Sequence, residues 1–293
     1  MKLLKLLCLV LLAAQFTACN IINPEEKIAS YVYLTGFDLV DNPLVAEGGL
    51  EHGITNAQVF AGGEFIGIFS VPGLVPILQE GPVEMVIDPV IKENGQTFFL
   101  AVYPYYTRFS GIVNLVPGQV DSLQIEVQYI DDFEIGFIED FELGGTIFEQ
   151  DRDGNEETFM DVTTEEVFDG NRSGLIFLDT ANYYIDVATV ESDLFPLGDA
   201  AQIWLELTIK TDLDVLIGLV GYQSGGSIAS SFEFGVLANE GWRKIYFNLE
   251  PEILASGFDD YAIALTAGLP LENGKFVLDE ASIYLDNIKL LYK

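Results

Sequence analysis

Hydrophobic and polar side chains alternate with a period of two along most of this 293-residue chain. Runs such as "NAQVFA" (56–61), "EFIGIFS" (64–70) and "QIWLELTIK" (202–210) are short and bounded by Gly, Pro or Asn. Because neighbouring side chains of a strand point to opposite faces of a sheet, this period predicts half-buried β-strands. No segment has the 3.6-residue period of a long amphipathic helix, so the pattern predicts an all-β protein.

The strand-like runs fall into two groups, separated by a break near "DDFEIGFIED" (131–140). Residues 31–130 have the length of a small β-sandwich domain, and residues 137–293 have the length of a larger one. One continuous sandwich is the alternative. Gly62-Gly63 and Asn273-Gly274 predict tight hairpin turns, since both pairs tolerate positive φ angles.

The first residues read as an export signal. Lys2 and Lys5 precede an apolar run from Leu6 to Ala14, which is about half of the ~20 residues a membrane-spanning helix needs. Cys19 follows Thr17-Ala18, and this triplet resembles the lipobox of bacterial lipoproteins, although Phe16 departs from the usual aliphatic residue. Ordinary cleavage by signal peptidase is the alternative.

The lipoprotein resemblance implies a signal peptide over residues 1–18 and a lipidated tether over residues 19–30, with the lipid on Cys19. Several acyl chains on one cysteine give stable membrane anchoring. Asn20 after the cysteine is typical of outer-membrane sorting, and the acidic pair Glu25-Glu26 favours the cell surface over the periplasmic face.

The charge balance restricts the partners. The chain has 13 basic and 46 acidic residues, and loss of Lys2 and Lys5 with the signal leaves a net charge of −35. Such a surface repels nucleic acid and anionic lipid head groups, so we expect no nucleic-acid partner and membrane contact through the lipid alone. A hydrophobic content of 49% indicates a folded chain despite this acidity.

Catalytic residue types are scarce. Cys8 leaves with the signal and Cys19 would carry lipid, so thiol catalysis, disulfides and thiolate zinc sites are excluded. His52 is the only histidine and lies in a glycine-flanked loop, where a catalytic triad or histidine metal cluster lacks partners. Close carboxylate pairs arise by chance among 46 acids. We therefore expect that the protein is not an enzyme.

The second region resembles the β-jelly-rolls of carbohydrate-binding modules and galactose-binding-like domains. The resemblance is carried by "FIEDFELGG" (137–145), "GNRSGLIFLD" (170–179), "QIWLELTIK" (202–210), "GWRKIYFNL" (241–249) and "IYLDNIKLLYK" (283–293). It implies a jelly-roll fold and a structural Ca²⁺ bridging the first and last strands at Glu142 and Asp286. Alternatively, Asp286 caps a turn or faces solvent. The first region more loosely resembles immunoglobulin-like or PEGA-type β modules, through "NAQVFAGGEFIGIFSVPGLVPILQEGPVEMVI" (56–87).

A second calcium hypothesis comes from "DRDGNEE" (151–157), in which Asp151, Asp153 and Asn155 alternate around Gly154. Oxygen ligands at this spacing are typical of Ca²⁺ loops, but the EF-hand pattern places its Gly sixth and here it is fourth. A solvated acidic turn is the favoured interpretation.

Aromatic residues provide the candidate binding surface. Trp204 alternates with apolar residues, and Trp242 shares the phase of Lys244 and Tyr246, so both tryptophans lie opposite the core face. This placement fits a glycan platform, a protein interface, or a sheet face covered by loops or by the first domain.

A second aromatic segment, "VYPYYTRF" (102–109), concentrates tyrosines beside an arginine, and both residue types are enriched among interface anchors. The residues are Tyr103, Tyr105, Tyr106 and Arg108. An edge strand with one aromatic face packed inward is the alternative.

Together these observations predict a small immunoglobulin-like sandwich followed by a jelly-roll. The expected function is a non-catalytic outer-membrane lipoprotein that acts as an interaction or scaffolding subunit of a cell-envelope assembly. The alternative is a surface glycan-binding lipoprotein that uses the jelly-roll. An open groove containing Trp204 and Trp242 would favour glycan binding, whereas their burial under the first sandwich would argue against it.

Overall fold

The computed structural model describes residues 26–46, 48–190 and 194–293. The predicted signal peptide, Cys19 and most of the predicted tether lie outside these described residues. Within them the chain is almost entirely β-strand, with one short α-helix and one 3₁₀ turn at Leu197–Asp199. The predicted all-β sandwich class is confirmed.

Eight strands build the first part, called here the N-terminal sandwich. They are β1 (Ser30–Leu39), β2 (Asn56–Ala61), β3 (Glu64–Ser70), β4 (Gly73–Ile77), β5 (Gly81–Lys92), β6 (Leu100–Val102), β7 (Phe109–Leu115) and β8 (Val120–Val127). One sheet has the order β4-β1-β8, and β1 runs parallel to β8. The other sheet has the order β3-β2-β5, and β6 and β7 both pair with β5.

Alternating apolar side chains fill the space between these two sheets. Val32 and Leu34 of β1 are fully buried, as are Val59 of β2 and Ile87 of β5. Gly62 and Gly63 form the β2–β3 turn with φ angles of 57° and 80°, which confirms the predicted hairpin.

The second part, called here the C-terminal sandwich, contains thirteen of the described strands. They are β9 (Glu134–Glu139), β10 (Gln150–Asp151), β11 (Asp161–Thr163), β12 (Ser173–Asp179), β13 (Tyr184–Ala188), β14 (Trp204–Thr211), β15 (Val215–Tyr222), β16 (Ile228–Val236), β17 (Asn239–Asn248), β18 (Asp260–Gly268), β19 (Leu271–Glu272), β20 (Lys275–Phe276) and β21 (Glu280–Tyr292). The predicted hairpin at Asn273-Gly274 joins β19 to β20.

Two large sheets face each other in this sandwich. One has five strands in the order β10-β13-β18-β15-β16. The other, called here the six-stranded sheet, has the order β11-β12-β21-β14-β17, with β9 beside β21. β21 is its centre, because it pairs with β12 and β9 along one edge and with β14 along the other.

The six-stranded sheet has an inner and an outer face. Ile203 and the alternating residues of β14 point into the core between the two sheets, together with Ile245 and Phe247 of β17. The outer face therefore carries Trp204, Glu206, Thr208 and Lys210 of β14. Part of this outer face is covered by the N-terminal sandwich, because Trp204 packs into the other core cluster. Whether the sandwiches at 31–130 and 137–293 are separate domains stays a prediction.

Several elements of the structure are not predicted by the alternation of the sequence, among them β4, β7 and the helix. β4 contains Pro76 and β7 contains Gly111, and such residues interrupt the strand pattern. The helix α1 (Glu250–Ser256) has Pro251 in its first turn and ends at Gly257, which has a φ of 68°. It is too short to show a helical period. Among the helices in the described ranges, none combines the length and hydrophobicity needed to cross a bilayer.

Candidate functional site

Aromatic side chains from both sandwiches meet where the N-terminal sandwich covers the six-stranded sheet. The ring of Tyr103 lies 5.3 Å from the Trp204 ring in an edge-on arrangement and 4.7 Å from the Tyr246 ring. Tyr106 and Tyr246 share a hydrogen bond between their hydroxyls at 3.0 Å. Tyr105 donates a hydrogen bond to the backbone carbonyl of Gln202. These contacts join the two sandwiches through packed aromatic rings.

A buried carboxylate lies at the centre of this contact. Glu206 is fully buried and accepts hydrogen bonds from the hydroxyls of Tyr103 at 2.6 Å and Tyr129 at 2.8 Å. The ammonium of Lys244 lies 2.5 Å from the second oxygen of Glu206. A buried carboxylate is tolerated only with such hydrogen bonds and counter-charges.

Further charges extend this network toward the loop between β1 and β2. Lys244 also pairs with Glu51 at 2.9 Å. The amide of Asn287 donates to the other oxygen of Glu51 at 3.1 Å. Lys289 is fully buried and donates to the carbonyl of Gly49 at 2.6 Å. Two lysines and two glutamates therefore balance each other between the sandwiches.

The pKa shifts follow from these contacts. Burial raises the pKa of Glu206, but the charges of Lys244 and Lys289 outweigh it, so the pKa is lowered. Burial lowers the pKa of Lys244, but Glu206, Tyr246 and Glu51 together outweigh burial and raise it. Burial raises the pKa of Tyr129 well above its usual value, which keeps this hydroxyl a donor. Glu206 and Lys244 are therefore an ionised pair within the network, with neutral phenols as hydrogen-bond donors.

The predicted aromatic binding residues thus have a different role in the structure. Trp204 is 5% exposed, and the four tyrosines Tyr103, Tyr105, Tyr106 and Tyr246 are buried against the opposite sandwich. A ligand has no access to these rings, because each sandwich covers the rings of the other. Arg108 lies apart from them. Its side chain is 62% exposed, and its guanidinium forms two hydrogen bonds with Asp88, at 2.8 and 3.1 Å.

Trp242 lies on the part of the outer face that the N-terminal sandwich leaves open. Its ring is 5.7 Å from the Phe168 ring and 6.4 Å from the Tyr284 ring. Trp242 and Tyr284 are partly exposed, and Phe168 is 39% exposed. We call Phe168, Trp242 and Tyr284 with the flanking Glu166 and Lys210 the aromatic patch.

Polar groups hold the rings of the aromatic patch in place. The indole Nε1 of Trp242 donates to Glu166 Oε1 at 3.0 Å, and Lys210 pairs with Glu166 Oε2 at 2.8 Å. These two hydrogen bonds lower the pKa of Glu166. The Lys210 ammonium also lies 5.8 Å from the centre of the Tyr284 ring, a cation–π distance. The patch therefore combines apolar ring faces with fixed charged groups.

An open cavity of about 540 Å³ adjoins the aromatic patch. It is lined by Phe168 and Asp169 on one side and by the chain from Gly48 to Glu51 on the other. Carboxylates and backbone groups at its edge are acceptors and donors for hydroxyl groups. Cavities of this size accommodate small ligands.

Asp286 and Glu142 fix the loop that carries Phe168. Asp286 Oδ2 accepts the backbone N–H groups of Phe168 at 3.2 Å and Asp169 at 3.1 Å. Glu142 Oε1 accepts those of Asn171 at 2.6 Å and Arg172 at 2.9 Å. Both carboxylates face N–H donors where a Ca²⁺ would need further oxygen ligands, so this pair does not fit the ion.

Burial dominates the electrostatics of Asp286. It raises the pKa of Asp286 to about 6, although three backbone N–H groups act in the opposite direction. For Glu142, the backbone and side-chain donors of Asn171 lower the pKa. The two carboxylates are therefore anchors of one loop with different environments.

The "DRDGNEE" segment forms a chain of turns. Asp151 Oδ1 accepts the N–H of Gly154 at 2.8 Å, Asp153 Oδ1 that of Asn155 at 2.8 Å, and Asn155 Oδ1 that of Glu157 at 3.2 Å. Such side-chain-to-backbone bonds are typical of Asx turns. Across residues 26–46, 48–190 and 194–293, no group of three or more His, Cys, Asp and Glu side chains is arranged to hold a metal ion.

His52 is half-buried near the contact between the sandwiches. Its Nε2 lies 3.0 Å from the carbonyl of Phe37, and its Nδ1 accepts the N–H of Ile54. Burial lowers its pKa. The ring therefore positions the loop between β1 and β2.

The sequence pattern predicts the positions of some residues of the aromatic patch but not of others. Lys210 and Tyr284 lie on the outward phase of their strands, so alternation could have placed them beside Trp242. Glu166 and Phe168 belong to an irregular loop without a period, and no signal in the sequence connects them to the sheet.

No protein-family model matches the sequence, and no curated protein matches it. Among solved structures, the chain is similar to the CBM22-1 xylan-binding domain from Paenibacillus barcinonensis Xyn10C, with 15% identity over 55% of this chain and 95% of that chain and a TM-score of 0.33.

Two further structures illustrate the similarity. A structure described for the promiscuous specificity of carbohydrate-binding modules from the β-sandwich superfamily is 14% identical over 82% of this chain and 87% of that chain, with a TM-score of 0.38. TmCBM61 in complex with β-1,4-galactotriose is 15% identical over 53% of this chain and 94% of that chain, with a TM-score of 0.34. These neighbours are carbohydrate-binding modules with β-sandwich or jelly-roll folds.

Proposed function

We propose that the protein is a non-catalytic glycan-binding module whose ligand lies on the aromatic patch. The observation that carries this proposal is the open group of rings around Trp242, next to a cavity with carboxylates at its edge. Sugar rings present apolar C–H faces that pack on aromatic rings, while their hydroxyls need polar partners. The patch offers both within one surface.

The geometry assigns roles within the patch. Phe168 and Trp242 supply the apolar surface, and Asp169 lies where hydroxyls of a bound sugar would reach. Glu166 is committed to Trp242 and Lys210, so it positions the indole. Because Trp204 is buried beneath the N-terminal sandwich, the platform contains one tryptophan, Trp242.

Binding is tested by isothermal titration calorimetry with soluble glycans, starting with xylan and β-1,4-galactan oligosaccharides. Trp242→Ala and Phe168→Ala should each weaken binding at least tenfold, about 1.4 kcal/mol. Phe65→Ala is the matched control, since Phe65 is an exposed aromatic of the N-terminal sandwich. Equal affinity in all three variants, or no binding across a broad glycan panel, would reject the proposal.

The predicted lipid on Cys19 would place this module on the outer membrane. Support comes from the apolar run and the Thr17-Ala18-Cys19 triplet, which lie outside the described residues. Metabolic labelling with a fatty acid tests it, because Cys19→Ala should abolish incorporation. Incorporation that persists in this variant would exclude Cys19 as the lipid carrier.

The scaffolding role stays a prediction. Five of the aromatic side chains that favoured it form the internal contact between the sandwiches, and Arg108 is paired with Asp88. The predicted aromatic residue that stays partly exposed is Trp242 of the aromatic patch, and this patch suits a small polar ligand.

A further inference from the structure

A second cavity, of about 300 Å³, lies where the two sandwiches meet at β17. β17 is an edge strand of the six-stranded sheet. The lining residues are Gly53, Thr55, Lys92 and Gly95 from the N-terminal part and the segment from Arg243 to Tyr246 of β17. The loop between β1 and β2 approaches β17 closely at Gly53, where an added Cβ would come within 2.9 Å of the Tyr246 ring.

This cavity is basic in a very acidic protein. Lys92, Arg243 and Lys244 all line it, although the chain has only 13 Lys and Arg against 46 Asp and Glu. Lys244 is neutralised by Glu206 and Glu51. Among the described ion pairs, none includes Lys92 or Arg243. Two positive charges without an ion-pair partner among the described residues therefore border one small space.

Arg243 also has an unused donor. One of its terminal nitrogens donates to the carbonyl of Leu237, but its Nε is buried and has no hydrogen-bond partner in the part of the chain that the structure describes. Burial lowers the pKa of Arg243, and no carboxylate acts against this effect. A buried donor without an acceptor is costly, so the described residues leave the guanidinium of Arg243 incompletely satisfied.

We propose that this cavity binds the carboxylate or sulfate group of a small anionic ligand, held by Arg243 and Lys92. A guanidinium presents parallel N–H donors that match the two oxygens of an oxyanion, and an ammonium adds charge from any direction. The cavity is at the lower end of the range for ligand pockets, which suits one sugar acid or an inorganic anion. This site is separate from the aromatic patch.

The test measures the melting temperature of the full chain with sodium sulfate, sodium glucuronate or glucose, against sodium chloride at equal ionic strength. At ten times the dissociation constant, sulfate or glucuronate should raise Tm by about 3 °C, and glucose should not. Stabilisation by both anions assigns the site to oxyanions in general. Stabilisation by glucuronate alone assigns it to sugar acids.

Lys92→Gln and Arg243→Gln should each remove the anion-dependent rise, whereas Lys275→Gln, an equal charge change in the β19–β20 hairpin, should retain it. If Arg243→Gln fails to fold, Lys92→Gln decides the outcome. No rise above the chloride control, or a rise that survives in Lys92→Gln, would overturn the proposal. Phe168→Ala should keep the rise, which separates this site from glycan binding on the aromatic patch.

Discussion

Glu206→Gln should strongly destabilise the protein, because it removes one charge from the network between the sandwiches. The substitution keeps the shape of the side chain but leaves Lys244 and Lys289 with Glu51 as the remaining carboxylate of the network. Both lysine side chains are almost inaccessible to water, with exposures of 3% for Lys244 and 0% for Lys289. Water therefore cannot replace the lost counter-charge.

The expected loss is about 3–5 kcal/mol, the usual cost of removing one partner from a buried ion pair. Single-domain proteins are stable by only about 5–15 kcal/mol, so this is a large fraction. With about 2–4 °C per kcal/mol for a chain of this size class, Tm should fall by about 6–20 °C. Urea unfolding and calorimetry measure both quantities.

Asp132→Asn is the control, since Asp132 pairs with Lys293 at 3.2 Å while 89% exposed. Exposed pairs contribute about 0–1 kcal/mol, so this variant should unfold almost as the parent does. The double variant Glu206→Gln/Lys244→Met should regain part of the loss, because it removes the unpaired ammonium. A loss below about 1 kcal/mol in Glu206→Gln would refute the buried network as the link between the sandwiches.

Three further outcomes are expected. Thr208→Val should raise the free energy of unfolding by about 1 kcal/mol, because the buried Thr208 hydroxyl has no hydrogen-bond partner within the described residues. Thr266→Val should lower it by a similar amount, because the Thr266 hydroxyl loses its 2.8 Å hydrogen bond to the carbonyl of Ile185. Equal urea midpoints for the two variants would contradict this. Because the pKa of Asp286 is raised to about 6, its stabilising protonation is lost as pH rises from about 4 through 6, so the Tm of Asp286→Asn relative to the parent should increase over that window and a constant difference would argue against it. EDTA should leave Tm unchanged, since Asp286 accepts backbone N–H groups, and a lower Tm would restore the calcium hypothesis.

The strand faces of the C-terminal sandwich were predictable from alternation alone. Ile203 and Leu205 point into the core, and Trp204 points outward, as the two-residue period requires. The period could not identify what covers Trp204. The covering residue Tyr103 lies in a distant part of the chain, and no local pattern pairs the two.

Charged residues on the outward phase were harder to interpret. Glu206 and Lys244 alternate with apolar residues, which is typical of a solvated sheet face. The structure buries both, because the N-terminal sandwich supplies Tyr103 and Tyr129 as hydrogen-bond donors. Periodicity reports which side chains share a face, and only tertiary packing decides whether water reaches that face.

The strand β21 is long and lies at the centre of its sheet, and this placement also constrains the order of folding. Its partners β9, β12 and β14 all precede it in the chain, and β9 ends at Glu139 whereas β21 begins at Glu280. During synthesis these earlier strands stay without their central neighbour until β21 has emerged. Pairing over such sequence separations is slow and exposes strand edges to aggregation, so a chain of this topology would gain from a chaperone that holds it until β21 is available.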